Sequence, residues 1–165
     1  MIDSSIYLEK ILQNFRFNKA KSHLKGDVLD FGGNDEELKK YAKGKYLAVN
    51  YDYSGIENLH FDTIVALAVI EHIFIAEVYE IFKKYFKIIL NQEGIIFLTT
   101  PTKMAKPVLE FWSFIGIVDK KNIEEHKHYW SKKDIYNLAD ATGFIVTRYK
   151  KFQFGFNQLA VFKHK

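Results

Sequence analysis

The sequence predicts a doubly wound α/β domain: a mostly parallel sheet with helices on both faces, finished at its C-terminal edge by an antiparallel hairpin. Three observations carry that expectation. Val28-Leu29-Asp30-Phe31 is a short apolar run that stops at Gly32-Gly33 and passes into Asn34-Asp35-Glu36, which reads as a strand, a tight turn and a helix start. Phe61-Asp62-Thr63-Ile64-Val65-Ala66-Leu67 and Ile95-Ile96-Phe97-Leu98-Thr99 are nearly continuous apolar runs, the pattern of strands covered on both faces. Between those two runs, Val78, Ile81, Phe82, Tyr85, Phe86 and Ile89 repeat at helical spacing.

The elements follow in order. Leu8, Ile11, Leu12 and Phe15 fall at i, i+3, i+4 and i+7, so an amphipathic helix spans residues 4–22 ahead of the first strand, which is read at 27–31. A helix at 35–42 closes near Gly44, and residues 46–50 form the second strand of a parallel strand-helix-strand unit. A short link, 51–60, leads to the strand at 61–67 and a helix from about 75 to 90. Asn91-Gln92-Glu93-Gly94 ends that helix with a turn before the strand at 95–99. Pro101 forbids continuation, and residues 102–130 make an excursion containing Val108-Leu109-Glu110-Phe111-Trp112-Ser113-Phe114-Ile115. An insertion this long in so small a domain predicts a functional element. Ser131 and Asp134 are a capping signature for a helix to about Ala141, and Gly143 is its stop. Residues 144–151 and 158–163 read as an antiparallel pair joined through Gly155-Phe156-Asn157.

Composition narrows the function. With 165 residues, 48% of them hydrophobic, the chain has the size and apolar content of one domain, 1–165. It contains no cysteine, which excludes disulfide scaffolds, thiolate metal sites and thiol catalysis. The N-terminus lacks a basic stretch followed by an apolar core, no apolar run is long enough to span a bilayer, and a cytoplasmic protein is expected. The net charge is +4, but it is carried by lysines scattered in short pairs, with Arg16 and Arg148 the two arginines; that pattern reads as solvated surface rather than a nucleic-acid stripe. Asp35, Glu36 and Glu37 at the helix start favour a cationic ligand over a dinucleotide pyrophosphate. Gly-x-Gly-x-x-Gly is absent, which argues against a nicotinamide dehydrogenase.

Three motifs in this order resemble the class I S-adenosylmethionine-dependent methyltransferases, and specifically a small, shortened member of the type 11 and type 12 group. They are Val28-Leu29-Asp30-Phe31-Gly32-Gly33; the strand from Phe61 that runs through Leu67-Ala68-Val69-Ile70 into Glu71-His72-Ile73; and Gly94 to Pro101, followed by His128-Tyr129-Trp130-Ser131 and Gly143-Phe144. The resemblance covers about residues 24–165. It implies a Rossmann-like fold, S-adenosyl-L-methionine as cofactor, and methyl transfer by in-line displacement to a small-molecule or carbohydrate-type acceptor. The cofactor residues it implies are Asp30, Gly32, Gly33 and Asn34 at the first strand tip, Asn50 or Asp52 for the ribose hydroxyls, and Leu67 and Ala68 at the tip of the 61–67 strand. Two departures stand out. Glu36 occupies the place of the family's third motif glycine, and the link 51–60 is too short for the usual helix, strand and helix. The family's third strand is therefore expected to be missing or vestigial, with Asn58 or Leu59 as a substitute adenine wall.

Methyl transfer from a sulfonium needs alignment and, at most, a positioned base. The candidates are His72, His126 and His128, because imidazole titrates near neutrality. The alternative is that Glu71 pairs locally, His72 fills space, and the other two lie on a solvated loop. No metal is expected: the carboxylate that metal-using relatives carry three residues before the Glu-His pair is Ala68 here, and His126 and His128 are the residues available to complete a ligand set. The 102–130 insertion is expected to act as an acceptor-side lid, with Phe111, Trp112 and Phe114 as acceptor wall, packing core or peripheral membrane contact. Tyr7 and Arg16 of the N-terminal helix, within residues 1–24, are candidates to close over the cofactor. Two other functions compete: a non-catalytic binding module on the same fold, and a nucleic-acid methyltransferase suggested only by charge.

Overall fold

A computed structural model of the protein describes residues 4–33, 36–50, 55–107 and 126–165. The N-terminal helix α1 spans Ser4–Ala20 and leads into β1, Val28–Phe31. After the glycine turn comes a 3-10 helix, Glu36–Tyr41, and then β2, Tyr46–Val49. Strand β3, Phe61–Leu67, ends in a one-turn 3-10 helix, Ile70–His72. Helix α2 starts as α-helix at Ile75–Glu80, widens to a π-helix over Ile81–Phe86 and closes as α-helix at Lys87–Ile89. Strand β4, Leu90–Pro101, helix α3, Lys132–Thr142, and strands β5, Phe144–Phe152, and β6, Asn157–His164, complete the domain.

The six strands form one sheet in the order β2-β1-β3-β4-β6-β5. β1 pairs in parallel with β2 and β3, and β3 pairs in parallel with β4, while β6 runs antiparallel to both β4 and β5. The mostly parallel sheet with a C-terminal antiparallel hairpin is the expected architecture. Among the described residues no strand lies between β2 and β3, and β2 is the sheet edge, in line with the missing third strand. No helix among the described residues is long and apolar enough to cross a membrane.

Alternation along the central strands builds two cores. Ile64, Ala66, Ile96 and Leu98 face α2 and α3, where Phe82 packs its ring 5.0 Å from Phe86 and 5.4 Å from Phe162. Val65 and Phe97 face the other way, against Ala20, Leu24 and Leu38. Helix α3 is held at both ends as the sequence predicts. Ser131 and Asp134 form a reciprocal capping box, and Gly143 closes the helix in the left-handed conformation at φ 83°.

Two elements differ from expectation. The segment expected as a helix at 35–42 is a six-residue 3-10 helix, the form short helical pieces take. Residues 91–94 belong to β4 and not to a turn. Leu90 stands opposite Phe61 and Ile95 opposite Thr63, so β4 advances five residues while β3 advances two, and the surplus forms a bulge. Asp62 secures that bulge by accepting from Asn91 Nδ2 at 2.8 Å and from the Asp27 amide at 2.9 Å.

Candidate active site

Because β1, β2, β3 and β4 are parallel, their C-terminal ends open onto one edge of the sheet, where ligands of such folds bind. Asp30, near the end of β1, is only 4% exposed, and its Oδ2 accepts a hydrogen bond from the Tyr46 hydroxyl at 2.5 Å. Burial holds its pKa above the usual carboxylate value, with the Tyr46 bond opposing. Gly32 then turns the chain at φ 80°, its amide donating to the Val49 carbonyl at 2.7 Å; a Cβ there would lie 2.5 Å from a γ-methyl of Val69. At Gly33 a Cβ would lie 2.5 Å from the Asp30 carboxyl carbon. The turn is thus a cradle that only side-chain-free backbone can form.

At the tip of β3, Leu67 packs beside the second core, and Ala68 adopts φ 57° while its amide donates to the Thr99 carbonyl at 2.9 Å. A non-glycine residue in the left-handed region costs about 1–2 kcal/mol, a kind of strain that collects at functional edges. Asn50 is exposed just beyond β2, and Asn58 and Leu59 are exposed in the following link.

Glu71 sits in the 3-10 turn that follows β3 and is 1% exposed. Its Oε2 accepts from Thr100 Oγ1 at 3.0 Å, across from the end of β4. Its main-chain carbonyl accepts from the amides of Lys127 at 2.7 Å and His128 at 3.2 Å, which ties residues 126–128 to the strand tip. That tie brings the His126 ring to a centroid distance of 4.7 Å from His72. One ligating atom each from Glu71, His72 and His126 lies within 4.8 Å of the others. Burial pushes the Glu71 carboxyl up to about 7, against its own backbone hydrogen bond, the Arg16 charge and Thr100. Burial, with the neighbouring His72 and Arg16 charges, pulls His126 down to about 4. The positive charge of Arg16, on α1, acts on both groups.

Of the three imidazoles expected to act, the structure brings together His72 and His126. His128 is turned away: its Nε2 lies 3.5 Å from Asp134 Oδ2 and its ring packs edge-on to Trp130 at 5.3 Å. Asn34, Asp52, Phe111, Trp112 and Phe114, and the side chains of Tyr7 and Glu36, lie outside the described residues. Thr100 is a site residue that the sequence motifs do not single out, and Glu71, which the Glu-His motif contains, is a site residue beyond the three imidazoles expected to act. The available signal for Glu71 is a lone carboxylate between Ile70 and Ile73, which predicts burial.

A methyltransferase-domain family model matches residues 5–149 of this sequence. The chain belongs to this methyltransferase family. No curated protein matches the sequence significantly. Among solved structures, the methyltransferase domain resembles the mitomycin 7-O-methyltransferase MmcR (TM-score 0.67, 10% identity, 92% of this chain and 53% of that one). It also resembles CalO1, a methyltransferase of calicheamicin biosynthesis in its SAH-bound form (TM-score 0.67, 10% identity, 96% and 55%), and the PH0226 protein from Pyrococcus horikoshii OT3 (TM-score 0.61, 17% identity, 96% and 91%). The chain spans little more than half the length of the first two, and at these identities the likeness is one of fold.

Within this methyltransferase domain the edge divides into two parts. The Asp30 to Gly33 cradle, Asn50 and the Leu67-Ala68 tip lie around β1, with β2 and β3 on either side. Glu71, His72, Thr100 and His126 lie on the β3 to β4 side. A donor and an acceptor can thus be held side by side.

Proposed function

We propose that this domain transfers a methyl group from S-adenosylmethionine to an oxygen of a small-molecule or carbohydrate-type acceptor. The observation that carries the reading is the buried Glu71 with His72 and His126, set on the same sheet edge as the side-chain-free cradle at Gly32-Gly33. S-adenosylmethionine, when bound, supplies a methyl group already activated on a sulfonium, so the protein need provide no covalent catalyst. In this reading Asp30, Gly32, Gly33 and the Leu67-Ala68 tip hold the donor, with Asn50 beside β2 available to its ribose. The cluster at Glu71 receives the acceptor oxygen and favours loss of its proton. Alignment of the two can supply about 7–11 kcal/mol of barrier reduction, and a group that assists proton loss about 100- to 10,000-fold more. That the mitomycin enzyme is a 7-O-methyltransferase supports oxygen as the acceptor atom.

The experiment is calorimetric titration with S-adenosylhomocysteine, followed by its release from S-adenosylmethionine over a panel of hydroxylated acceptors. Saturable binding is expected, with Glu71→Gln losing turnover while keeping S-adenosylhomocysteine affinity. Absence of binding at millimolar ligand overturns the reading. A second reading, a non-catalytic module, is favoured by the place of β2 at the sheet edge among the described residues, where the family's third strand would stand. Turnover of any acceptor rejects it.

A further inference from the structure

We propose that Glu71, His72 and His126 form a binding site for one divalent cation of the manganese, cobalt or zinc class, placed to receive the acceptor oxygen. The cation site stands on its own geometry; its role toward the acceptor rests on the methyl-transfer reading above.

Three features of the cluster carry the inference. The first is convergence. Segments 54 residues apart in sequence, His72 and His126, are pinned together by two main-chain hydrogen bonds to one carbonyl, and ligating atoms of all three side chains stand within 4.8 Å of each other. Donors sharing an ion at about 2.0–2.2 Å stand roughly 3–3.5 Å apart, so closure requires a shift of roughly 1.5 Å, within the reach of imidazole rotation. The second is donor chemistry. Two imidazoles and one carboxylate suit borderline transition ions, whereas calcium and magnesium take oxygen-rich sets. Three protein ligands also leave an open position for an incoming oxygen.

The third is support behind the ligands. Thr100 Oγ1 donates to Glu71 Oε2 at 3.0 Å, which fixes the carboxylate in place. His126 Nδ1 is 3.0 Å from the Tyr129 hydroxyl, which leaves Nε2 as its ligating nitrogen and sets the ring's orientation. Tyr129 is thus a positioning residue. Arg16 acts in the opposite sense, since its positive charge is felt at both Glu71 and His126. An acceptor hydroxyl bound at the open position gives up its proton to solvent more readily. Its oxygen then bonds to the methyl carbon as the sulfur–methyl bond breaks, the electron pair staying on sulfur.

The test uses the full chain, stripped with chelator and titrated with Co2+ while visible absorption is followed, without any methyl donor. A single saturable site is expected. Glu71→Gln and His126→Gln should each weaken it on the order of 100-fold, Tyr129→Phe by about 10- to 100-fold, and Arg16→Gln should tighten it. His60→Gln, at an exposed position remote in sequence from the cluster, should leave it unchanged. His126→Gln, at a half-buried site, keeps the test valid if the Glu71 variant fails to fold. No saturable band, or a band that survives both Glu71→Gln and His126→Gln, overturns the proposal. Cobalt binding without S-adenosylhomocysteine binding would leave the cation site and remove the methyl-transfer reading; the reverse would remove the cation site alone.

Discussion

The sharpest test of the cradle is Gly33→Ala combined with Asp30→Ala. A Cβ on Gly33 would lie 2.5 Å from both Cγ and Oδ2 of Asp30 and 2.9 Å from Oδ1, where ordinary contact begins near 3.4 Å. The two groups must therefore part by roughly 0.9 Å, the difference between 3.4 and 2.5. Asp30 cannot swing aside freely, because it is buried and its carboxylate is engaged by Tyr46. The turn must move instead, at a cost of about 1–3 kcal/mol by the behaviour of overpacked sites. In a domain of this length each kcal/mol lowers Tm by roughly 2–4 °C. If the cradle holds the methyl donor as proposed above, a displacement near 1 Å there also predicts a loss of turnover on the order of 100-fold.

Asp30→Ala deletes all three atoms that the new methyl meets, so the penalty should largely vanish in the double variant. Urea denaturation of the four proteins gives the coupling energy directly, and about 1–3 kcal/mol is expected, the double variant being more stable than the sum of its parts. Additivity to within about 0.5 kcal/mol would refute the cradle geometry.

Three further outcomes follow from the same structure. Ala68→Gly relieves the left-handed backbone and should raise stability by about 1 kcal/mol or less, net of glycine's greater unfolded-state entropy; a clear fall in Tm would show that Ala68 is not strained. Ser131→Ala removes the α3 cap and should cost about 1 kcal/mol in denaturant titration. For Asp134, burial acts to raise the pKa but is outweighed by the Ser131 backbone and hydroxyl bonds, His128 and Lys103, so the folded value lies below the unfolded one of about 3.9. Its contribution is therefore present above that unfolded value and lost as pH falls through the folded one. The Tm gap between wild type and Asp134→Asn should hold steady from pH 7 to 5 and close below pH 4. A gap that widens on acidification would contradict the assignment.

What was legible in the sequence was whatever short-range pattern decides. The runs at 28–31 and 61–67 are short, apolar and followed by turn signals, as strands covered on both faces are, and Ser131 with Asp134 caps a helix through bonds that span three residues. The 3-10 form of 36–41 and the bulge at 91–94 were not legible. The bulge is decided by Asp62, whose carboxylate links β3, β4 and the residue before β1, a contact 29 positions away in one direction and 35 in the other. The site divides in the same way. Asp30 and the glycines carry a local signature, whereas the partners of Glu71 come from Thr100, from residues 126–128 and from α1, all distant in the chain. His126 and His128 look equivalent as a sequence pair. The residue each meets, His72 in one case and Asp134 in the other, separates them.

Two departures from what stability favours stand within the stretch 68–71. Ala68 holds a backbone conformation that alanine disfavours, and Glu71, three positions on, is a buried carboxylate. Stability alone would favour a glycine at the first position and an apolar residue at the second, since burying an ionisable group costs several kcal/mol unless it is well compensated. The main-chain bonds from residues 127 and 128 do not need the Glu71 side chain, because they end on its carbonyl. An isosteric apolar residue would keep the scaffold and discard only the carboxylate. Glu71→Leu should accordingly retain or raise Tm while abolishing cobalt binding and turnover, which separates a carboxylate kept for chemistry from one kept for folding. A Tm fall of more than a few degrees in that variant would mean that the carboxylate holds the β3 tip together, and the case for an acceptor-side cluster would lose its physical basis.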